Sequence, residues 1–287
     1  MLDRREKNRR IFEDTCRAML ESRRLQESIE NSINNQTLYL QEKACTCDIK
    51  CKKSDKMCDV VVSGKRTFEA AESYARAGKR VAVLNFASAT NPGGGVVNGS
   101  SAQEESLCRC STLYLCLDTD MMWDHFYKPH RTANNPIYND DILVTPDVTV
   151  FKSDTDWPER LPEEDWYNVD VITCAAPNLR EQPTNKMNPY AGDQAAVLSR
   201  QEYTDIMCER IRRVFEAAQT TEADVLILGA FGCGAFRNPP EIVARLFKEA
   251  TDQYGSSFET IEFAVFHTSR ETNNYDAFVK AFDGGEN

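Results

Sequence analysis

The chain has 287 residues, a hydrophobic fraction of 41% and a formal net charge of −11. This composition is typical of a soluble globular protein and excludes an intrinsically disordered one. The acidic balance argues against a duplex nucleic-acid partner, whose phosphates need a basic protein surface. A small anion remains possible, because backbone N–H groups at the start of a helix can bind it without any formal charge.

The first segment, residues 1–35, is highly charged and carries a broken helical stripe of apolar residues. We predict that it forms an N-terminal helical accessory segment packed on a larger body. It has no apolar run after its basic residues, and the chain has no apolar stretch of about 18 residues, so we predict neither a secretory signal nor a membrane span. We therefore expect a cytoplasmic location, with the eleven cysteines as reduced thiols.

Four of the cysteines, Cys45, Cys47, Cys51 and Cys58, lie close together in the sequence. Thiols at such density can bind zinc, but the spacing lacks the paired C-x2-C knuckles of the usual zinc ribbons. The pattern favours a surface loop with incidental thiols, and a metal site stays open as the alternative.

From residue 36 onward, short apolar strands alternate with helices. Strands are predicted in "TLYL", "VVVSG" and "RVAVLNF", with a helix in "TFEAAESYARAGK" before the last of these. The segment 119–165 is predicted to be irregular apart from a strand pair in "ILVTPDVTVF". Buried strands follow in "DVITCAA", "DVLILGAF" and "TIEFAVF", and helices at 194–219, 240–253 and 273–282. This alternation indicates an α/β sheet covered on both faces, with ligands bound beyond the carboxyl ends of its strands.

The strand in "RVAVLNF" is followed by "ASATNPGGGVVNGSSAQEE", which combines a glycine triplet with two adjacent acids. Glycines at 93–95 let the backbone approach a ligand closely. Glu104 and Glu105 come just after a helix start that we predict at Ser100 or Ser101. In the alternative interpretation, Ser101 and Glu104 form a capping box and Glu105 is a first-turn acid favoured by the helix dipole. That alternative leaves the glycine triplet unexplained.

Two further strand exits have binding potential. "LILGAFGCGAFRNPP" runs from a buried strand through Gly229, Gly232 and Gly234 to a helix that begins with prolines, a geometry that can hold phosphate. It matches neither the Walker loop nor the dinucleotide-binding pattern. In "FAVFHTSR", Phe266 ends a predicted strand, where its ring is either a core aromatic or a platform for a planar base.

Together these stretches resemble the bacterial-type poly(ADP-ribose) glycohydrolases, a branch of the macrodomain superfamily. The resemblance is carried by the glycines at 93–95, a seven-residue spacer and the triplet 103–105 (Gln-Glu-Glu), and by the loop 229–240; it spans about residues 36–282. It implies a three-layer α/β/α macrodomain-like catalytic domain at 36–287 with a mixed central sheet. The implied activity is hydrolysis of the O-glycosidic ribose bonds of poly(ADP-ribose), without a metal or cofactor.

The resemblance also implies roles for individual residues. Glu105 is the general acid and base, and Glu104 orients the ribose at the scissile bond. The implied substrate contacts are Asn91 and Asn98 for ribose hydroxyls, Gly93, Gly94, Gly95, Gly232, Cys233, Gly234 and Ala235 for the diphosphate, Phe236 for ribose, Phe266 for adenine, and Gln103 as part of the signature. Cys233 is expected to be a small loop residue rather than a nucleophile.

Two physical considerations shape this hypothesis. Neighbouring residues on a helix diverge by about 100°, so Glu104 and Glu105 cannot flank a bond from opposite sides and must have unequal roles. A helix start lowers the pKa of an acid, so we expect Glu104, the substrate diphosphate and burial to raise the pKa of Glu105 in the complex. The alternatives are a non-catalytic ADP-ribose reader, a hydrolase of mono-ADP-ribosylated protein, and a nucleotide-binding domain whose acids only cap a helix. We expect a monomer.

Overall fold

The computed structural model describes residues 3–42, 57–185 and 188–283. Its strands are β1 (Thr37–Tyr39), β2 (Asp59–Ser63), β3 (Val81–Phe86), β4 (Ile142–Val150), β5 (Tyr167–Cys174), β6 (Val225–Leu228) and β7 (Thr260–Ala264). Within the described residues they form one seven-stranded sheet in the order β1–β4–β5–β3–β6–β7–β2. Strands β5, β3, β6, β7 and β2 are mutually parallel, whereas β4 runs antiparallel to β5 and β1. The expected mixed sheet is confirmed.

The prediction of a strand pair in the region of β4 is wrong. The expected strand pair in "ILVTPDVTVF" is a single strand whose register against β5 shifts between Thr145 and Val148. The two residues in the bulge are Pro146, which has no N–H to give to the ladder, and Asp147, which has a positive φ of 54°. The Asp147 N–H donates to Asp170 Oδ1 on β5 (3.1 Å), so the chain continues as a bulged strand instead of turning back.

The helices predicted at 240–253 and 273–282 are confirmed within one residue, whereas the one predicted at 194–219 begins only at Arg200. The described residues contain ten α-helices. They are α1 (Arg4–Glu21), α2 (Arg23–Asn34), α3 (Thr67–Arg76), α4 (Gln103–Cys110), α5 (Leu113–Leu117), α6 (Asp120–Met122), α7 (Lys128–Ala133), α8 (Arg200–Thr220), α9 (Pro240–Tyr254) and α10 (Asn273–Phe282). A π-helical turn at Trp123–Tyr127 joins α6 to α7. The expectation of irregular structure throughout 119–165 is therefore wrong for its first third.

The sheet is covered by helices on both faces. Along β3, Ala82 and Leu84 join a core cluster built with α8, α9 and α10. Their neighbours Val81 and Val83 join a second cluster with α3, α4 and α5. This alternation follows from the period of two in a strand, and it confirms the three-layer α/β/α architecture.

The N-terminal helices pack against the second of these layers. Phe12 of α1 belongs to the same core cluster as α4 and α5. Thr15 donates to the carbonyl of Arg109 in α4 (2.6 Å), and the buried Lys152 ammonium pairs with Asp14 (2.8 Å). The division at residue 35 between an accessory segment and a catalytic domain stays a prediction. The contacts between the two parts include the buried Phe12, Thr15 and Lys152.

Three of the four clustered cysteines, Cys45, Cys47 and Cys51, lie outside the described residues. Burial raises the pKa of the fourth, Cys58, to about 11. In the part of the chain that the structure describes, there is no group of three or more His, Cys, Asp or Glu side chains that could hold a metal ion. No helix in that part is long and apolar enough to cross a membrane.

Candidate active site

The loops that leave β3, β5 and β6 meet at one edge of the sheet. Because β3 pairs in parallel with both β5 and β6, the three strands end side by side. The rings of Phe86 and Phe231 lie 5.7 Å apart at the exits of β3 and β6. Ala89, Ala175 and Phe236, one from each exit loop, share a small apolar cluster. The two glycine loops, separated by more than a hundred residues of sequence, therefore converge.

The glycine triplet wraps around the carboxyl groups of the two glutamates. Gly93 and Gly94 both have a φ of +59°, a conformation that side chains disfavour. A Cβ atom at Gly94 would stand 2.7 Å from Glu105 Oε1 and 3.0 Å from Glu104 Oε2. Only glycine lets the backbone come this close to the two carboxyl groups. The close approach explains the glycine triplet, which a helix cap alone would not require.

Glu104 is bound by the strand before it and not by its own helix. Its Oε2 accepts a hydrogen bond from the Ser88 N–H (2.8 Å), and its Oε1 accepts one from Asn85 Nδ2 (3.3 Å). Helix α4 begins at Gln103 with Ala102 as its N-cap and no side-chain cap. The capping box with Ser101, and a helix start at Ser100 or Ser101, are therefore wrong. A polar Asn85 within the apolar run "VAVLNF" was the sequence signal for this contact.

Glu105 is held at one oxygen and unpaired at the other. Its Oε1 accepts a hydrogen bond from the Gly95 N–H (2.9 Å). Its Oε2 is buried and has no hydrogen-bond partner among the described residues. A buried carboxyl oxygen without a partner is rare in folded proteins and often marks a functional group. The free oxygen is the atom that can carry a transferable proton.

The pKa values of both acids are raised, and burial is the main cause. Burial raises the pKa of Glu104 well above its ordinary value, and the adjacent charge of Glu105 raises it further, against hydrogen bonds from Ser88 and Asn85. Burial also raises the pKa of Glu105, against the Gly95 N–H and the charge of Arg109. We expected the complex to supply much of this shift, but the enclosure of the site by the protein already supplies part of it.

Replacing Glu105 with glutamine should stabilise the protein at pH 7. A carboxyl whose pKa in the folded state lies above the ordinary 4.5 makes folding take up a proton, so it reduces stability above pH 4.5. A neutral amide removes this cost and can still accept the Gly95 hydrogen bond. We expect the melting temperature of Glu105→Gln to exceed that of the native protein at pH 7, with the difference shrinking as the pH falls towards 4.5. An unchanged or lower melting temperature at pH 7 would contradict the burial argument.

Gln103 faces the protein. Its Oε1 accepts from the Phe86 N–H (2.9 Å), and its Nε2 donates to the Leu84 carbonyl (2.7 Å) and to Thr67 Oγ1 (3.0 Å). The amide thus ties the first residue of α4 to the end of β3. This arrangement suits a residue that positions Glu104 and Glu105 better than one that contacts substrate.

Asn91 and Asn98 lie at the two ends of the glycine loop. Asn91 Oδ1 accepts a hydrogen bond from Arg131 (2.6 Å), and the same guanidinium donates to the Thr90 carbonyl (2.7 Å). Asn98 is exposed at the end of a short 3-10 helix. The sequence reasoning missed Arg131, which fastens the start of the loop, because no local pattern connects α7 to a loop forty residues earlier.

The second glycine loop is fastened by Asn238. Its Nδ2 donates to the carbonyls of Pro177 (2.8 Å) and Gly232 (3.0 Å), and its Oδ1 accepts from the Tyr203 hydroxyl (3.0 Å). A Cβ at Gly232 would stand 2.5 Å from the Ala176 Cβ, so this glycine allows the loops after β5 and β6 to touch.

The outer part of this loop is open to solvent. Gly234 and Ala235 are exposed. Among the described residues, the backbone N–H groups of Gly234, Ala235 and Phe236 have no protein acceptor. Three free N–H groups at a strand exit, before a helix that begins at Pro240, are donors that an anion can accept from.

Two side chains of the loop are half-buried. The Phe236 ring lies 6.0 Å from that of Tyr138, in the apolar cluster between the exit loops. Burial raises the pKa of the Cys233 thiol, so thiolate chemistry is disfavoured there. The contact of Phe236 with ribose and the role of Cys233 as a small loop residue stay predictions.

Phe266 lies two residues beyond β7, not at its end as expected. Its side chain is half-exposed, which removes the core interpretation. The guanidinium of Arg66 covers one face of the ring at 3.8 Å from its centre. A planar base would have to stack on the other face or displace the guanidinium.

The region where the exit loops of β3, β5 and β6 meet is named here the cleft. Two surface pockets of the molecule, of about 400 and 480 Å³, have neither glutamate in their walls. The smaller is lined by residues 134–137 and 193–197, and the larger lies against Lys79, Arg80 and Asp170, near the starts of β3 and β5. The larger pocket thus lies at the opposite edge of the sheet from the glutamates.

The fold and the site together define a macrodomain-like α/β/α protein with two buried carboxyl groups close to the edge at which β3 and β6 end. Residues 14–153 match the family model described as microbial-type PARG, catalytic domain. The crystal structure of poly(ADP-ribose) glycohydrolase from Thermomonospora curvata is similar, with a TM-score of 0.83 and 29% identity, over 97% of this chain and 100% of that one. None of the curated proteins matches the chain.

The poly(ADP-ribose) glycohydrolase of Deinococcus radiodurans, solved in complex with ADP-ribose, is similar with a TM-score of 0.76 and 30% identity, over 90% of this chain and 98% of that one. The chain belongs to the family of microbial-type poly(ADP-ribose) glycohydrolases. The predicted family, fold and enzyme class are thereby confirmed.

Proposed function

We propose that this protein binds ADP-ribose units in the cleft and hydrolyses the ribose–ribose bonds of poly(ADP-ribose), with Glu105 as its general acid and base. The observation that carries the proposal is the Glu105 carboxyl, which is buried, held by the Gly95 N–H and unpaired at Oε2. Similar structures from Thermomonospora curvata and Deinococcus radiodurans contain the inhibitor ADP-HPD and ADP-ribose, respectively.

The reaction needs one group that gives and then takes a proton. Protonated Glu105 gives its proton to the leaving oxygen as the bond from that oxygen to the anomeric carbon breaks. The anomeric carbon becomes an oxocarbenium-like centre, which is attacked by the oxygen of a water molecule. The Glu105 carboxylate takes a proton from that water and is restored. The raised pKa of Glu105 supports the first step, because the acid must be protonated near neutral pH.

Glu104 has the supporting role in this proposal. Both of its oxygens already accept hydrogen bonds from the protein, so its position is set before substrate arrives. A carboxyl group fixed in this way keeps lone pairs that can accept hydrogen bonds from ribose hydroxyls and orient the sugar. The diphosphate, held by the free N–H groups of the loop 232–236, would stabilise the positive charge that grows on the ribose. All of these groups come from one chain, so we propose that a monomer is sufficient.

One incubation tests the proposal. The protein is mixed separately with poly(ADP-ribose) and with a mono-ADP-ribosylated protein, and the released ADP-ribose is measured by chromatography. We expect release from the polymer. Release from the modified protein alone would instead indicate a mono-ADP-ribosyl hydrolase. Tight ADP-ribose binding without release from either substrate would indicate a reader.

Gly234→Ala tests the diphosphate contact without disturbing the fold. A Cβ at Gly234 would have no atom within 4 Å, and its φ is not positive, so the melting temperature should be unchanged. The added methyl would stand between the loop and a bound diphosphate, and we expect the dissociation constant for ADP-ribose to rise about tenfold, a loss of about 1.4 kcal/mol. Calorimetric titration measures it.

Gly255→Ala is the matched control, because its Cβ would make only ordinary contacts of 3.4 Å or more, at the end of α9. Equal affinities for ADP-ribose in the two variants would contradict a diphosphate site at this loop.

A further inference from the structure

The first turns of α1 are basic in a chain that is otherwise acidic. The chain carries a net charge of −11, yet Arg4, Arg5 and Lys7 lie within four residues of one another. Arg4 is exposed and lies 3.8 Å from Asp156. Among the described residues, the exposed Arg5 side chain has no acidic partner. Positive charge is therefore available at this end of the helix.

The next two basic residues of α1 share one acid. Arg9 and Arg10 both pair with Glu6, one turn away on the same helix. One carboxylate neutralises only one of the two guanidinium groups, and exposed pairs of this kind contribute little to stability. The basic residues of the first turn, Arg4, Arg5 and Lys7, outnumber its one acid, Glu6.

An exposed tryptophan lies directly beside this charge. Trp157 is 54% exposed, which is unusual for so large an apolar ring. The Lys7 ammonium lies over its face, 4.1 Å from the ring centre. An exposed aromatic ring next to cations is the arrangement on which nucleobases stack in single-stranded nucleic-acid sites.

Hydrogen bonds join this surface to the catalytic loop. The Arg5 carbonyl lies so close to Gly99 that a Cβ there would collide with it, and Asn8 Nδ2 donates to the Gly99 carbonyl (3.0 Å). On the other side, Asp154, three residues before Trp157, accepts a hydrogen bond from Ser106 Oγ (3.2 Å), next to Glu105. The surface thus borders both the glycine loop and the first turn of α4.

We propose that Arg4, Arg5, Lys7 and Trp157 form a binding surface for the ADP-ribose units of the polymer that lie beyond the two units joined by the bond being cut. This inference rests on the proposed function. Each such unit carries two negative charges on its diphosphate and one adenine, which matches a cluster of cations with one exposed ring. The surface, named here the N-terminal basic surface, would hold the polymer while its terminal unit occupies the cleft.

The test compares long and short substrates. The triple variant Arg4→Gln, Arg5→Gln, Lys7→Gln and the single variant Trp157→Ala are assayed on long poly(ADP-ribose) and on its two-unit form. Glutamine preserves helix propensity, and thermal unfolding checks that both variants fold. We expect kcat/KM to fall about tenfold on the long polymer, with a weaker dependence on salt, and to change less than twofold on the two-unit form.

A charge-matched control separates this surface from total charge. The triple variant Arg23→Gln, Arg245→Gln, Lys248→Gln removes the same charge from exposed pairs on α2 and α9 and should leave both activities unchanged. If wild type cleaves both substrates and the variants match it, or lose equally on both, the inference fails and the proposed function stands. If wild type cleaves neither, the proposed function fails. Inhibition of long-polymer cleavage by single-stranded RNA at concentrations near the KM for the polymer would make the surface a general polyanion site and overturn the assignment.

Discussion

Glu105→Gln should lower kcat on poly(ADP-ribose) by about 10²–10⁴-fold, the usual contribution of a general acid and base. Glutamine is nearly the same size as glutamate, and its Oε1 can still accept the Gly95 hydrogen bond, so the site should keep its shape. It has no proton to give to a leaving oxygen. The binding of ADP-ribose should therefore stay within about threefold of the native value, whereas turnover collapses. Steady-state release of ADP-ribose and calorimetric titration measure the two quantities.

Glu241→Gln is the matched control for this result. Glu241 is also an acid in the first turn of a helix, α9, but it is exposed. Its replacement should leave kcat unchanged, which excludes a general effect of removing a negative charge at a helix start. If Glu105→Gln kept near-native turnover, Glu104 or another group would have to supply the proton, and the assignment of Glu105 would be wrong.

The architecture was predictable because its signals are local. Strand β3 reads as an apolar run bounded by a charged residue and a small-residue loop, and the same holds for β5, β6 and β7. Strands of this kind, separated by helices, have few ways to pair other than as a parallel sheet. The convergence of the two glycine loops followed from this topology, because both loops leave the same edge of neighbouring strands.

The parts of the site that could not be predicted depend on contacts between distant residues. The sequence "SAQEE" fits a capping box, and nothing local reveals that Ser88 and Asn85 hold Glu104 instead. The link from Arg131 to the glycine loop also depends on the path of the chain through α6 and α7. A helical stripe predicted that α1 packs on the body, but it could not say that this helix lies against Gly99.

The structure also changes the explanation for the acidity of Glu105. From the sequence, a helix start and a neighbouring carboxylate have opposite effects on its pKa, and substrate is needed to decide the balance. In the folded protein, α4 is so short and so deeply packed that burial acts on Glu105 before any ligand binds. The glycine triplet is what makes that burial possible, because its backbone closes over both carboxyl groups.

Gly94→Ala should abolish most of the activity while costing only modest stability. The φ of +59° disfavours alanine by about 1–2 kcal/mol. In addition, the new Cβ would stand 2.7 Å from Glu105 Oε1 and 3.0 Å from Glu104 Oε2, so both carboxyl groups must move. A displacement of about 1 Å at a catalytic group can cost about 10²-fold in rate, and we expect at least that loss in kcat. Thermal unfolding and ADP-ribose release measure the two effects.

Gly78→Ala is a control that separates the cost of placing alanine at a positive φ from the steric clash of the new methyl group with the two carboxyl groups. Gly78 has a φ of +78°, and a Cβ there would have no atom within 4 Å. Gly78 follows α3, in the loop that leads into β3 at the edge of the sheet opposite the cleft. The two alanine variants therefore share the cost of a positive φ. They differ in the atoms that the new methyl group contacts. We expect Gly78→Ala to show the backbone penalty alone, Gly94→Ala to lose somewhat more stability, and kcat to fall in Gly94→Ala only. Native activity in Gly94→Ala would mean that the close approach of this glycine to the two acids has no part in catalysis. Equal losses of activity in both variants would trace the effect to stability alone.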